Sequence, residues 1–252
     1  MKAMIVAAGL ATLSALASAA PMQAPGQPPV LTDIRWDILP PDGKQDGRQG
    51  EGPRLRVRSE ASSSDFALDG SRPEMAGALR TLGSDKGPVA FRIAHAAGTL
   101  DCDGRLTRRY EGKGDCRFTG DPGFERQLAA RGLAPDGPRD LLAMLLVDAT
   151  VVLADGLTDA GLRPEDSDDL IAAAALKISP AYVRELRGGA LKLESIDDVI
   201  ACRALGVDGA YVRDLADAGY ADLDAEDVVG MKALGVTGDY ARRMNAAAGA
   251  KR

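Results

Sequence analysis

The chain has 252 residues, 45% of them hydrophobic and 27% charged, with a formal net charge of −6. That length holds one domain or two. The acidic balance argues against holding nucleic acid or an anionic membrane by charge.

Residues 1–20 have the pattern of an export signal. Lys2 supplies the positive start, residues 5–17 the apolar middle, and Ala17, Ser18 and Ala19 a small-residue cleavage site. The apolar run is too short for a permanent membrane helix. No cysteine follows to carry a lipid, and loss of Lys2 takes the net charge from −6 to −7. The expectation is a periplasmic or secreted protein with no transmembrane segment in the mature chain. Residues 21–31 are proline-rich and read as an extended linker.

From Thr32 the apolar period becomes two. Ile34, Trp36 and Ile38 alternate with Asp33, Arg35 and Asp37. Leu55 and Val57 alternate with arginines, and Val89, Phe91 and Ile93 with Ala90, Arg92 and Ala94. These predict half-buried antiparallel strands, so residues 32–120 read as a β domain. Residues 40–53 are rich in glycine, proline and charge and read as a loop. Ser71-Arg72-Pro73-Glu74 has the form of a capping box, which predicts a short helix running to Gly83.

Three cysteines occur, Cys102, Cys116 and Cys202. A hairpin folded about Arg109 sets Leu100 opposite Phe118 and Cys102 opposite Cys116, both pairs on one face. In an oxidising compartment Cys102 and Cys116 are expected to bridge; two buried thiols are the alternative. Cys202 reads as a small core residue.

Residues 121–161 read as a helical connector. Helices are expected over 121–131 and 138–158, the second a buried core helix interrupted at Asp148. Residues 162–248 then carry one pattern three times, with 29 residues in each copy: 162–190, 191–219 and 220–248. Tyr182, Tyr211 and Tyr240 fall in register, as do Arg184, Arg213 and Arg242, and Asp169, Asp198 and Asp227. Each copy has signals for two short helices. Asp166, Ser195 and Asp224 are N-cap types for the first helix, and Ser179, Asp208 and Thr237 for the second. Gly206 and Gly235 mark left-handed stops between them, with Lys177 at that place in the first copy. Helices this short do not stand alone in water, so the copies are expected to stack. Leu153, Leu157 and Gly161 suggest a partial copy ahead of the first. The fold class is therefore α+β, an antiparallel β-rich N-terminal domain followed by a short α-helical hairpin repeat array.

Catalytic chemistry is scarce. His95 is the single histidine, in phase with Phe91 and Ile93, and no Ser-His-Asp set or zinc motif assembles around it. Asp101-Cys102-Asp103-Gly104 and Asp222-Leu223-Asp224 lack the closing glutamate of a calcium loop. The Leu205-Gly206-Val207 corner is similar to a helix-hairpin-helix DNA motif, but Asp208 stands at the phosphate contact, which argues against DNA. No catalytic or metal residues and no cofactor are assigned. The repeated Arg184, Arg213 and Arg242, with Tyr182, Tyr211 and Tyr240, are the candidate partner-binding residues. The competing reading makes each tyrosine a core anchor and lets each arginine pair with a neighbouring acid.

The repeat, with Ala-Leu-Gly-Val and Tyr-Val-Arg at fixed places, resembles a tandem helical repeat of bacterial envelope proteins. It is similar to the extracytoplasmic tails of membrane metallopeptidases of the beta-lactam-sensor type. The resemblance covers residues 162–248, and the stretch from Gly98 to Phe124 resembles the region preceding such repeats. There the pattern reads Gly-Thr-Phe-x-Phe, so Cys102 and Cys116 stand at aromatic positions. The resemblance implies location and architecture; peptidase activity does not transfer, because this chain has no zinc motif. The function expected is a non-enzymatic periplasmic interaction or sensory accessory protein that binds another envelope protein. The alternative is an envelope glycan-binding protein or hydrolase with its site in the β domain.

Overall fold

The computed structural model describes residues 28–39, 52–60, 63–68, 70–189, 191–220 and 222–249. The export signal, most of the linker and most of the 40–53 loop lie outside these residues. Six strands form one antiparallel sheet: β1 (Val30–Leu39), β2 (Arg54–Arg58), β3 (Ser63–Ala67), β4 (Gly87–His95), β5 (Gly98–Arg108) and β6 (Glu111–Gly120). Their order is β3-β2-β1-β6-β5-β4. A 3-10 turn at Pro73–Met75 and helix α1 (Ala76–Leu82) link β3 to β4.

Alternation decides which side of the sheet is dry. Ile34, Trp36, Leu55, Val57, Phe91, Ile93, Leu100 and Phe118 all point inward and are buried. Trp36 lies across the neighbouring strands, and its indole nitrogen donates to the Asp103 carbonyl at 2.9 Å. Gly104 and Gly114 make room for it, since a Cβ on either would stand within 2.7 Å of the indole. The expected hairpin is present, with Leu100 opposite Phe118 and Cys102 opposite Cys116. The two cysteines are bonded.

The capping box at residues 71–74 does not form. Arg72 is the N-cap and makes no side-chain cap bond. Its Nε instead holds Glu74 at 2.6 Å. The guanidinium in the middle of the motif engages the carboxylate in a charged pair.

Nine helices follow β6 among the described residues. They are α2 (Pro122–Ala129), α3 (Pro138–Val147), α4 (Val151–Asp159), α5 (Ser167–Ala175), α6 (Pro180–Gly188), α7 (Ile196–Ala204), α8 (Gly209–Asp217), α9 (Ala225–Ala233) and α10 (Gly238–Gly249). Helices α3, α5, α7 and α9 begin at 138, 167, 196 and 225, each 29 residues after the last. Helices α2, α4, α6, α8 and α10 keep the same interval, beginning at 122, 151, 180, 209 and 238. The first set packs as one layer and the second as another. The single helix expected over 138–158 is thus two, bent by 75°. They belong to a complete fourth copy with α2 as a half copy before it, so the stack is longer than the three copies read at 162–248.

One backbone position explains the bends. Asp148, Lys177, Gly206 and Gly235 lie 29 residues apart and have φ of 63°, 54°, 66° and 69°. Each first helix ends where the chain turns left-handed, a conformation natural for glycine and strained for lysine. The second helices are capped in common. Asp121, Thr150, Ser179, Asp208 and Thr237 each accept the N–H three residues on, at 2.7–3.2 Å. Each such cap contributes about 1 kcal/mol. In the first helices Asp140, Asp169 and Asp198 reach back to the N–H four residues earlier, each at 2.7 Å.

The core is continuous from sheet to stack. One apolar cluster joins the inner sheet face, α1, α2 and α3 to Leu170 and Ala174 of α5. A second runs from Leu157 through Tyr182, Leu186, Cys202 and Leu215 to Ala241. Among the described residues no single helix is long and apolar enough to cross a membrane.

Candidate functional site

The stack is held by contacts that recur from joint to joint. The Tyr182 hydroxyl donates to the Val207 carbonyl at 2.5 Å and that of Tyr211 to Val236 at 2.8 Å, each 25 residues on. Burial pushes the pKa of both hydroxyls up. The N–H that opens the next second helix is accepted by an acid. Gly209 donates to Glu185 at 3.2 Å and Gly238 to Asp214 at 3.0 Å. A cation from the next copy then covers each ring, Arg203 over Tyr182 at 4.9 Å and Lys232 over Tyr211 at 4.2 Å. A tyrosyl hydrogen bond contributes about 1 kcal/mol, and a cation over an aromatic face about 0.5–1 kcal/mol.

The joint from α4 to α6 keeps the geometry with different residues. Pro180 opens α6 and has no N–H to give. Where Glu185 and Asp214 supply an acceptor, this copy has Gly156, and a Cβ there would stand 2.7 Å from the Pro180 ring. The missing donor and the missing acceptor match.

Tyr182 is buried at 6% exposure and Tyr211 half-buried, while Tyr240 is 47% exposed. The first two tyrosines are therefore core anchors with hydrogen-bonded tips. The cations beside them are Arg203 and Lys232, not the arginines that recur in register with the tyrosines. Arg184, Arg213 and Arg242 stand one per copy at exposed positions on α6, α8 and α10. Arg242 is tied to Asp214 at 2.9 Å and to Asp239 at 2.5 Å. Among the described residues Arg184 and Arg213 have no ion pair or hydrogen bond. The equivalent places on α2 and α4 hold Arg126 and Asp155, which the reading missed. Counting back by 29 from Arg184 finds both. Asp155 is held in a two-point pair by Arg131, at 2.6 and 2.8 Å. That pair, with Arg163, lines an open groove of about 310 Å³ between α2 and α4, and Arg163 donates to the Arg131 carbonyl at 2.6 Å.

Polar groups also gather where the sheet meets α3. Arg72 donates to the carbonyls of Leu145 and Leu146 at 2.8 and 2.7 Å, closing the C-terminal end of α3 with a positive charge. His95 ends β4, an edge strand. Its Nδ1 accepts the Ala97 N–H at 3.1 Å, so its proton sits on Nε2, which faces Asp148 at 3.2 Å. Burial lowers the pKa of His95, with Asp148 opposing. Burial works against the Glu74 carboxylate, yet its own backbone N–H and Arg72 hold its pKa below the usual range. Each of these groups is engaged in joining the two parts of the molecule. Burial raises the Cys202 thiol to about 11, which leaves it an inert core residue.

The outer sheet face is a mosaic of charge. Across one row stand Asp65, Arg56, Asp37, Lys113 and Arg105, and across the next Arg58, Arg35, Asp115 and Asp103. Arg56 pairs with Asp65 at 2.7 Å and Arg92 with Asp101 at 2.6 Å. Arg58 reaches Asp37 at 2.6 Å, close enough for an ion pair though not aligned as a hydrogen bond. No group of three potential metal ligands occurs among the described residues. Comparison of the chain with protein-family models, with curated proteins and with solved structures found no match.

Proposed function

We propose that this chain is an exported, non-enzymatic interaction or sensory accessory protein of the bacterial envelope. Its repeat stack holds an acidic partner protein on the second-helix layer. The observation that carries the reading is the state of Arg184 and Arg213. They are exposed on adjacent helices, α6 and α8, and have no partner among the described residues, while Arg187, Arg203 and Arg242 close by are all hydrogen-bonded. Two free guanidinium groups on a rigid scaffold suit a carboxylate-bearing surface, to which arginine binds in two-point fashion. The export signal pattern and the Cys102–Cys116 bond favour an oxidising compartment. The test is retrieval of a defined partner from periplasmic extract by the mature protein, set beside an R184E/R213E variant. The reading expects the partner to be lost while the circular dichroism spectrum is unchanged. Equal retrieval by both proteins would overturn it.

A second reading rests on the outer sheet face. Arg35, Arg54, Arg56, Arg58, Arg92, Arg105, Lys113 and Arg117 outnumber Asp37, Asp65, Asp101, Asp103 and Asp115 there, on an acidic protein. Such a face suits an anionic envelope glycan. Hydrolysis needs two carboxylates flanking a bound sugar, and the opposed Asp103 and Asp115 lie on an open strand pair. Binding is therefore the form of this reading that the face supports. Co-sedimentation with purified cell-wall sacculi, lost in R105E/K113E, is its test.

A further inference from the structure

The acids that latch the joints also face the column of repeated arginines. Where α8 meets α10, the Asp214 carboxylate takes two donors. Its Oδ2 accepts the Gly238 N–H at 3.0 Å and its Oδ1 the Arg242 guanidinium at 2.9 Å. Where α6 meets α8, the Glu185 Oε1 accepts the Gly209 N–H, with Arg213 close by. Glu185 Oε1 and Arg213 Nη1 both lie no more than 3.0 Å from the point where a Cβ on Gly209 would stand. The joint of α4 with α6 has the arginine and lacks the acid. Gly156 stands in the acid's place, Pro180 has no N–H to be latched, and Arg184 has no ion pair among the described residues. The carboxylate that stands beside its two equivalents is missing here.

The surroundings of Arg184 are open and partly apolar. Arg184 and Pro180 are four apart on α6 and share a face, as do Val152 and Gly156 on α4. Gly156 meets the Pro180 ring, so the two faces adjoin. Val152 is 80% exposed, at a place where α6 and α8 have Ala181 and Ala210. The acid next to Gly156, Asp155, is engaged through both its oxygens by Arg131.

We infer that Arg184 is the anchor for the acidic partner, and that one aspartate or glutamate of that protein takes the seat which Asp214 fills for Arg242. The inference rests on the partner-binding reading and narrows it to one residue. A carboxylate is the occupant because it is the group that fills the equivalent place two joints on. There it forms a charge-assisted pair with the arginine, and Arg184 has the same pair to offer. Val152 and the Pro180 ring give apolar contact to the stem of the incoming side chain. Arg213, with Glu185 already beside it, contributes less.

The experiment restores the missing acid. In G156D/P180A the joint regains both halves of the latch, an acid on α4 and an N–H at the start of α6, and the new carboxylate competes for Arg184. G156A/P180A has the same joint without the acid and is the control. Periplasmic extract is passed over each immobilised mature protein, and the readout is the band that the parent retrieves and R184E/R213E does not. G156D/P180A and R184E are each expected to lower that band by about tenfold or more, while G156A/P180A and R213E keep most of it. Circular dichroism and the urea midpoint check that each variant is folded. Should G156D/P180A fail to fold, R184E set against R213E decides alone. A band lost with R184E/R213E yet kept by G156D/P180A, or lost with R213E and kept by R184E, would overturn the inference and leave the partner-binding reading standing. A band kept by R184E/R213E, or no band from the parent, would overturn both.

Discussion

Gly156 of α4 lies against the ring of Pro180, which opens α6, with no room between them for a side-chain carbon. At the next two joints the same places hold a carboxylate and a main-chain N–H, Glu185 with Gly209 and Asp214 with Gly238. Two chemistries fill one geometry, so the copies are equivalent in space even where their residues differ.

The first prediction follows from that pair. G156A is expected to cost about 1 kcal/mol, because the new methyl group must displace the proline ring. In a P180A background the same change should stabilise by about 1 kcal/mol, the ordinary gain of alanine over glycine in a helix. Urea unfolding of the four proteins measures the coupling. Additive effects would show that the two residues do not crowd each other.

Lys177 occupies a left-handed turn that Gly206 and Gly235 occupy without strain. K177G should therefore stabilise the protein by about 1 kcal/mol, and G206K should destabilise it by a similar amount. Thermal or urea melts of both variants check this. Asp148 sits at the same corner but also faces His95, so D148G should gain less.

Closure of the β5–β6 hairpin by Cys102 and Cys116 spans 14 residues. In the chain-entropy account a loop of that size stabilises by about 3 kcal/mol. Unfolding with and without a reductant should differ by that order, and C102A/C116A should be insensitive to the reductant.

His95 makes stability depend on pH with a definite sign. Burial lowers its folded-state pKa below the reference value of 6.5. Protonation would also take Nδ1 away from the Ala97 N–H. As pH falls the unfolded chain takes up the proton first, so the contribution is complete above pH 6.5 and is lost as pH drops through that value toward the folded pKa. Glu74 and Asp65 also have lowered pKa values and act in a lower window, below 4.5 and 3.8. The unfolding midpoint should decline between pH 7.5 and about 5.5, and H95N should flatten that decline.

The sequence showed the period, the register of the tyrosines and the caps because these are local and repeated. The hairpin pairing of Cys102 with Cys116 was legible for the same reason, since a residue count about one turn decides it. Strand β3 escaped notice because Phe66 is the one buried residue among its five. The copy formed by α3 and α4 was legible only in part, from Leu153, Leu157 and Gly161, because substitution hid the rest. Asp148 replaces the corner glycine, Leu153 the tyrosine and Gly156 the acid, so the apolar run reads as one helix. Which cation covers which ring was not legible either. Arg203 and Tyr182 belong to different copies, and a pairing across a joint needs the stacking geometry first. Arg184, Arg213 and Arg242 look alike in sequence, yet among the described residues only Arg242 of the three is ion-paired.

The equivalence of the joints is tested most directly by removing one oxygen at a time. Y182F, Y211F and Y240F would each be unfolded in urea beside the parent protein. The account predicts losses of about 1 kcal/mol or somewhat more for the first two, each leaving a backbone carbonyl unpaired, and no measurable loss for Y240F. Equal effects at all three sites, or none at Tyr182 and Tyr211, would contradict a stack built on repeated joints.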